Sequence, residues 1–199
     1  MKVTIADYGV GNLHSLRKAF ERLGATVEVT EAADRWVESQ ILVLPGVGAF
    51  GAVLKPIAEV RELLRQRVRE RPTLGICLGM ELLFERSEEA LGVSGLRVLP
   101  GTVVKLPAQR LPHLGWNTVQ HKQSGLFDEI PQNAYFYFVH SYGTLESDAA
   151  LAWTVYESPI VSAVHAGPCS FGVQFHPEKS GQWGLKLLEN FLALAKESR

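Results

Sequence analysis

Short apolar runs alternate with helical-period segments through the first ninety or so residues. Residues 2–7 are compact and β-branched, which predicts a first strand. Tyr8-Gly9-Val10-Gly11-Asn12 follows as a loop, with Asn12 or Ser15 placed to cap a helix reaching about Leu23. Gly24 stops that helix, and residues 26–29 form a short second strand. Ile41-Leu42-Val43-Leu44 is apolar at every position, as a strand covered on both faces of a parallel sheet must be. Ile57, Val60, Leu64 and Val68 then recur at helical spacing up to Arg71-Pro72. Residues 73–77 predict another buried strand, and Leu78 to about Arg86 the helix that follows it.

Past Leu91 the pattern shortens. Residues 96–99, 102–106, 134–139, 151–157, 161–165 and 170–175 are strand-like runs divided by turns, and residues 112–117 read as turn-like. Hairpins replacing crossovers predict antiparallel strands at the sheet edge or a small second sheet. From Gly181 a last amphipathic helix carries Leu185, Leu188, Phe191, Leu192 and Ala195 on one face. The whole predicts an α/β fold: an open, mostly parallel, doubly wound sheet flanked by helices, with antiparallel strands in the second half. No linker, repeat or low-complexity tract interrupts it, so residues 1–199 read as one domain.

Composition narrows the function classes. A formal net charge of −1 removes the electrostatic case for nucleic acid or an anionic membrane. Arg61, Arg65, Arg67, Arg69 and Arg71 cluster, but Glu59, Glu62 and Glu70 interleave, so the run reads as a solvated helix face. No apolar stretch approaches the ~20 residues of a membrane span, and no signal core precedes the first strand, so the cytoplasm is the expected home. Cys77 and Cys169 are too few for a disulfide framework. Without C-x-x-C or H-E-x-x-H spacing, no metal or cofactor is expected.

The candidate chemistry centres on Gly75-Ile76-Cys77-Leu78-Gly79, the cysteine version of the strand-to-helix nucleophile elbow. Such a turn lifts the sulfur off the sheet toward a helix N-terminus, where a thiolate and an oxyanion are both favoured. On this segment alone a buried structural cysteine is an equal reading. Phe175-His176-Pro177-Glu178 adds a histidine at a strand end and a carboxylate two residues on. Nucleophile, base and orienting acid make a Cys77–His176–Glu178 triad, although His-Pro-Glu alone also fits a capped turn. His140 ends an apolar strand near the expected site, and His113 lies in the turn-like segment. His14, His121, His165 and Cys169 read as surface or structural residues. Gly9-x-Gly11 lacks the third glycine of a dinucleotide fingerprint, since His14 stands there, and reads as a tight turn.

These residues resemble class I, triad-type glutamine amidotransferases, and within them the glutaminase subunits of imidazole glycerol phosphate synthases. The resemblance rests on residues 45–50 (Pro-Gly-Val-Gly-Ala-Phe), 75–80, 112–117 (Pro-His-Leu-Gly-Trp-Asn), 140–142 and 174–181, in order along the chain. It implies attack by Cys77 on the side-chain amide of glutamine. The oxyanion would be held by the Leu78 N–H and an N–H of the Gly46-Val47 segment, at ~3 kcal/mol per donor. It also implies substrate contacts from Met80, Glu81, Glu89, Ser141 and Tyr142. The family usually has glutamine where this chain has Glu81, and a carboxylate cannot donate to the substrate's own carboxylate. The implied partner is a cyclase subunit, a (β/α)8 barrel that consumes the ammonia. Gly9, Asn12, Trp116, Tyr137 and Lys179 would face it. Glutaminases of other pathways, cysteine peptidases and a catalytically silent binding subunit are the rival readings.

Overall fold

The computed structural model describes residues 1–9 and 11–198, apart from the side chains of Ala52, Leu54 and Lys55. Val10, in the loop predicted after the first strand, lies outside the described residues. In chain order the elements are β1 (Lys2–Ala6), α1 (Leu13–Arg22), β2 (Thr26–Thr30), α2 (Ala33–Glu38), β3 (Ile41–Leu44), α3 (Phe50–Ala58), α4 (Arg61–Glu70), β4 (Thr73–Ile76) and α5 (Leu78–Glu81). The second half contains β5 (Arg86–Ser87), β6 (Thr102–Lys105), β7 (His113–His121), β8 (Ala134–His140), β9 (Tyr142–Gly143), β10 (Ala150–Tyr156), β11 (Ser158–Gly167), β12 (Ser170–Val173) and α6 (Gly181–Glu197).

Nine strands form one sheet in the order β2-β1-β3-β4-β12-β11-β10-β7-β8. Pairing is parallel from β2 through β12 and antiparallel from there to β8. A small second sheet, β5-β6-β9, lies beside it. Side chains alternate across a strand, and both faces of β3 are covered: Ile41 and Val43 join the core under α1 and α6, while Leu42 and Leu44 join the core under α2, α3 and α4. This explains an apolar run without alternation. The topology brings β4 and β12 side by side and parallel, with Ile76 opposite Val173, so their C-terminal ends open on the same edge. Open α/β sheets place ligands at that edge.

Several local expectations are corrected. The helix after Cys77 stops at Glu81, not near Arg86, because its next carbonyls are taken. Leu96 donates to Leu82 O at 2.7 Å, and Val98 and Leu99 both donate to Leu83 O at 2.9 Å. Residues 96–99, predicted as a strand, are therefore the loop that satisfies these groups. The helical period over 57–68 is split between α3 and α4, with Val60 N closing a turn on Ile57 O. Residues 113–117 are not a turn but the start of β7, paired with β8 so that His113 faces His140 and Trp116 faces Tyr137. The short α2 was not legible because Ala32 provides no side-chain cap; buried Trp36 anchors it through Nε1–H to Thr30 O at 2.8 Å. Among the described residues no helix is long and apolar enough to cross a membrane.

Arg67 overturns the solvated-face reading of the arginine run at one position. It is buried, and its guanidinium donates to Ser39 O at 3.0 Å, Ser39 Oγ at 3.1 Å, Thr73 Oγ1 at 2.6 Å and Pro72 O at 3.2 Å. It thereby ties α4 to the starts of β3 and β4. Truncation leaves several buried acceptors without donors, and hydrogen bonds from a charged group are the stronger kind. Arg67→Ala is expected to cost about 3 kcal/mol in urea unfolding, whereas exposed Arg69→Ala stays within about 0.5 kcal/mol.

Candidate active site

Two glycines make the corner on which Cys77 stands. A Cβ on Gly75 would lie 2.5 Å from Gly79 O, and one on Gly79 would overlap the carbonyl oxygen of Leu44 on β3. Strand and helix approach so closely that only hydrogen fits at either position. Cys77 itself takes φ 52° and ψ −108°, a left-handed backbone that costs a non-glycine residue roughly 1–3 kcal/mol. The corner is held by Cys77 N donating to Val173 O at 2.7 Å, so β12 fixes where the sulfur emerges.

The next residues after β12 supply the site's other groups. Gln174 is fully buried; its Nε2–H donates to Glu81 Oε1 at 3.1 Å and to Cys77 Sγ at 3.8 Å. His176 is buried, and its Nδ1 lies 2.9 Å from Glu178 Oε1. The carboxylate can only accept, so the ring proton sits on Nδ1 and Nε2 presents its lone pair. Nε2 is buried without a hydrogen-bond partner. Ser180 braces the turn, donating to His176 O at 2.6 Å and accepting from Tyr137 N at 3.0 Å.

Cys77 and His176 thus share one sheet edge, but the thiol does not hydrogen-bond to the imidazole. It donates to Val139 O at 3.7 Å. Burial raises the thiol's pKa well above its ordinary value, and any negative charge on Glu81 or Glu178 adds to this; the Leu78 N–H and Gln174 offset part of it. The thiol is protonated in this state. The Leu78 N–H donates to Gly46 O at 3.4 Å, so one expected oxyanion donor faces a carbonyl of the segment expected to supply the other. Val47, half-buried, follows directly.

A pocket of about 220 Å³ opens over the sulfur, lined by Cys77, Leu78, Glu81, Glu89, Ser141 and Tyr142 among others. Met80 is not among them. Its side chain points from α5 into the core, against Gly172, which corrects its expected substrate contact for the side chain. Glu89 Oε2 accepts from Phe50 N at 2.6 Å at the start of α3. A larger groove of about 740 Å³ between α1 and α6 reaches Glu178 but not Cys77.

Sequence reading missed a hydrogen-bonded chain behind the pocket. His140 Nδ1 lies 2.8 Å from Tyr142 O, which accepts only, so that nitrogen carries the proton. His140 Nε2 then accepts from His113 Nδ1 at 3.0 Å, and His113 Nε2 accepts from the Asn117 amide at 3.2 Å. Burial keeps both rings neutral, lowering His113 to about 4 and His140 to about 3. The chain fixes the Tyr142 carbonyl beside the pocket. Its only signal was the facing of His113 and His140, visible once residues 113–117 are recognised as strand.

The expected partner-facing residues lie in two places. Trp116, 55% exposed, meets Tyr137 edge-on at 6.0 Å, and Lys179 Nζ sits 5.6 Å over the Tyr137 ring. That exposure rules out core packing for Trp116. Gly9 and Asn12 are exposed; Gly9 N donates to Asp7 Oδ1 at 2.8 Å, and the Asn12 side chain accepts from Ser15 N at the head of α1.

The doubly wound sheet thus carries a glycine-framed cysteine at its parallel edge and a His–Glu pair just beyond the neighbouring strand's end. The family model for class-I glutamine amidotransferases matches residues 4–195, and the chain belongs to that family. Within the family it groups with the HisH glutaminase subunits of imidazole glycerol phosphate synthase. The HisH subunit of Thermococcus kodakarensis is 45% identical, covering 96% of this chain and all of that protein. Those of Methanocaldococcus jannaschii and Pyrococcus furiosus are each 43% identical, covering 96% and 97% of this chain and 99% of their own. Solved structures share the fold at lower identity. One described as a glutamine amidotransferase has a TM-score of 0.76 at 19% identity, covering 98% of each chain. PurLQS of Thermotoga maritima has a TM-score of 0.75 at 17% identity, covering 96% of this chain and 97% of that one.

The elbow's tolerance is testable by one methyl group. In Gly79→Ala the new Cβ meets the Leu44 backbone, which cannot move without displacing β3. A loss above about 4 kcal/mol is expected in thermal or urea unfolding, whereas Gly92→Ala, with open space around its Cβ, shows only the smaller backbone cost of its φ of +81°.

Proposed function

We propose that this chain, as one amidotransferase domain spanning residues 1–199, hydrolyses glutamine to glutamate and ammonia through Cys77, His176 and Glu178. The observation that carries the reading is the shared edge of β4 and β12, where a strained cysteine and a His–Glu pair with a free Nε2 emerge from adjacent strands. In the reaction the thiol leaves Val139 O and passes its proton to His176 Nε2, while Glu178 steadies the imidazolium. Sulfur attacks the side-chain amide carbon. The resulting oxyanion is held by the Leu78 N–H, once the Gly46 carbonyl turns away, and by the Val47 N–H that the same rotation brings inward. His176 gives its proton to the departing ammonia. Water, deprotonated by the same ring, then cleaves the thioester to glutamate and restores the thiol.

Glu81, Glu89 and the Ser141-Tyr142 backbone surround the amino-acid end of the substrate. The ammonia passes, shielded from bulk protonation, to the cyclase subunit of an imidazole glycerol phosphate synthase. That subunit is a (β/α)8 barrel which makes imidazole glycerol phosphate and an aminoimidazole carboxamide ribotide, in the cytoplasm, for histidine synthesis. Similarity to the HisH subunits supports this partner, and the surface of Trp116, Tyr137 and Lys179 together with Gly9 and Asn12 is where we place it. A resting site whose thiol and Leu78 N–H are both engaged elsewhere fits a glutaminase that waits for its synthase.

The lone chain should hydrolyse glutamine weakly, and the rate should rise at least about a hundredfold with the cyclase and its nucleotide ligand, the scale of one oxyanion donor. Equal rates with and without partner would contradict the coupling. Cys77→Ser should abolish glutamine-dependent synthesis by the complex while leaving ammonia-dependent synthesis intact; a mutant that free ammonia cannot rescue would contradict the division of labour.

A further inference from the structure

Glu81 is 5% exposed, one helical turn on from Cys77, and lines the pocket over Cys77. Its hydrogen bond comes from the neutral amide of Gln174, whose same Nε2 also points to Cys77 Sγ. The strands packed against α5 are β3, β4 and β12, with the sequences Ile-Leu-Val-Leu, Thr-Leu-Gly-Ile and Ser-Phe-Gly-Val, and none carries an ionisable group. The pocket wall contributes Cys77, Glu89, Tyr142 and His140, the last held neutral by burial, and Glu178 lies beyond the sulfur. No cation faces Glu81 from any of these elements. A buried carboxylate in such surroundings takes up a proton rather than keep its charge.

We propose that Glu81 acts as a neutral carboxylic acid, accepting from Gln174 through one oxygen and donating through its O–H to the carboxylate of the bound amino-acid substrate. In that form it offers one donor and one acceptor, as a primary amide would, and so replaces the glutamine usual at this position. The inference rests on the glutaminase reading above. Its consequence has a definite sign. Burial, reinforced by the charge of Glu89, raises Glu81 to about 8. Below that pH the acid is neutral and the site is competent. Above it the O–H donor is lost, a negative charge confronts the substrate carboxylate, and the same charge pushes the Cys77 thiol further up.

The test compares wild type and Glu81→Gln, each bound to its synthase partner, for glutamine-dependent and ammonia-dependent turnover across neutral to alkaline pH. For wild type, glutamine kcat/KM should fall about tenfold per pH unit above about 8, with KM rising. Glu81→Gln should lack that limb, although its substrate titrates identically. Ammonia-dependent turnover should not distinguish the two. Iodoacetamide labelling of Cys77, in a Cys169→Ser background, should show a lower thiol midpoint in Glu81→Gln. Infrared difference spectra of wild type should show a protonated carboxyl band at neutral pH that bleaches through the same range and is absent from the variant.

Superimposable alkaline limbs with glutamine turnover intact, or no such band in wild type, would overturn the proposal and leave the glutaminase reading standing. If wild type turns over ammonia but no glutamine at any pH, the glutaminase reading fails. In that case the infrared band alone decides whether Glu81 is neutral. Should Glu81→Gln not fold, the wild-type band remains decisive.

Discussion

The fold is built around one close approach: the backbone of Gly79 lies directly on the Leu44 carbonyl of β3, with Gly75 under the same turn. No side chain separates the first turn of α5 from the sheet there. That contact forces the chain through the left-handed corner at Cys77, and the corner decides where the sulfur emerges. Everything chemical is then a matter of which strand ends reach the same edge. β12, inserted parallel beside β4, sends Gln174 toward the sulfur and carries the chain on to His176 and Glu178. The antiparallel half contributes differently. β8 ends at His140, and the short β9 brings Tyr142 over the pocket, so one wall of the pocket comes from hairpins while Cys77 and His176 come from the crossover half.

The site is arranged but not engaged. Three reactive groups are each diverted or left waiting: the thiol to Val139 O, the Leu78 N–H to Gly46 O, and His176 Nε2 to nothing. The His176 Nε2 lone pair is thus uncommitted among the described residues and open to a donor such as a thiol Sγ–H. The Leu78–Gly46 bond is long at 3.4 Å and involves a segment that ends in Gly48 at φ 131°. A weak bond to a glycine-bounded peptide is cheap to break. Stability of the elbow and looseness of the facing segment are therefore compatible, because they belong to opposite sides of the same N–H.

Much of this was legible in the sequence for identifiable reasons. A continuous apolar run reports a strand covered on both faces, and β3 is such a strand. The glycine pair around Cys77 reports close backbone approach, and the structure has it. What escaped reading was decided by partners distant in the chain. The helix after Cys77 is cut short because residues 96–99 take its carbonyls. Residues 113–117 look like a turn, with Pro112 before them and Gly115 within, yet they pair with β8. Arg67 belongs by pattern with the solvated arginines, but Ser39 and Thr73, from two other elements, make it a buried tie. Gln174 stood only as the first residue of the matching segment 174–181, with no role assigned to it. Its role comes from register, since the residue after Val173 must lie beside the residue after Ile76.

The electrostatics of the pocket follow from that geometry rather than from composition. The chain is nearly neutral overall, yet the pocket over Cys77 is lined by the carboxyls of Glu81 and Glu89 and by His140, which burial keeps uncharged together with His113 behind it. Directionality makes the histidines' neutrality more than an effect of desolvation. Tyr142 O requires a donor from His140, His140 then requires one from His113, and His113 takes one from Asn117, so each ring has one proton and a use for it. A second proton on His140 would set two N–H groups face to face at 3.0 Å, and one on His113 would point at the Asn117 amide donor at 3.2 Å. Among the described residues that line it, the pocket therefore lacks a positive charge that would hold Glu81 ionised, and burial keeps the Cys77 thiol protonated until a base takes its proton.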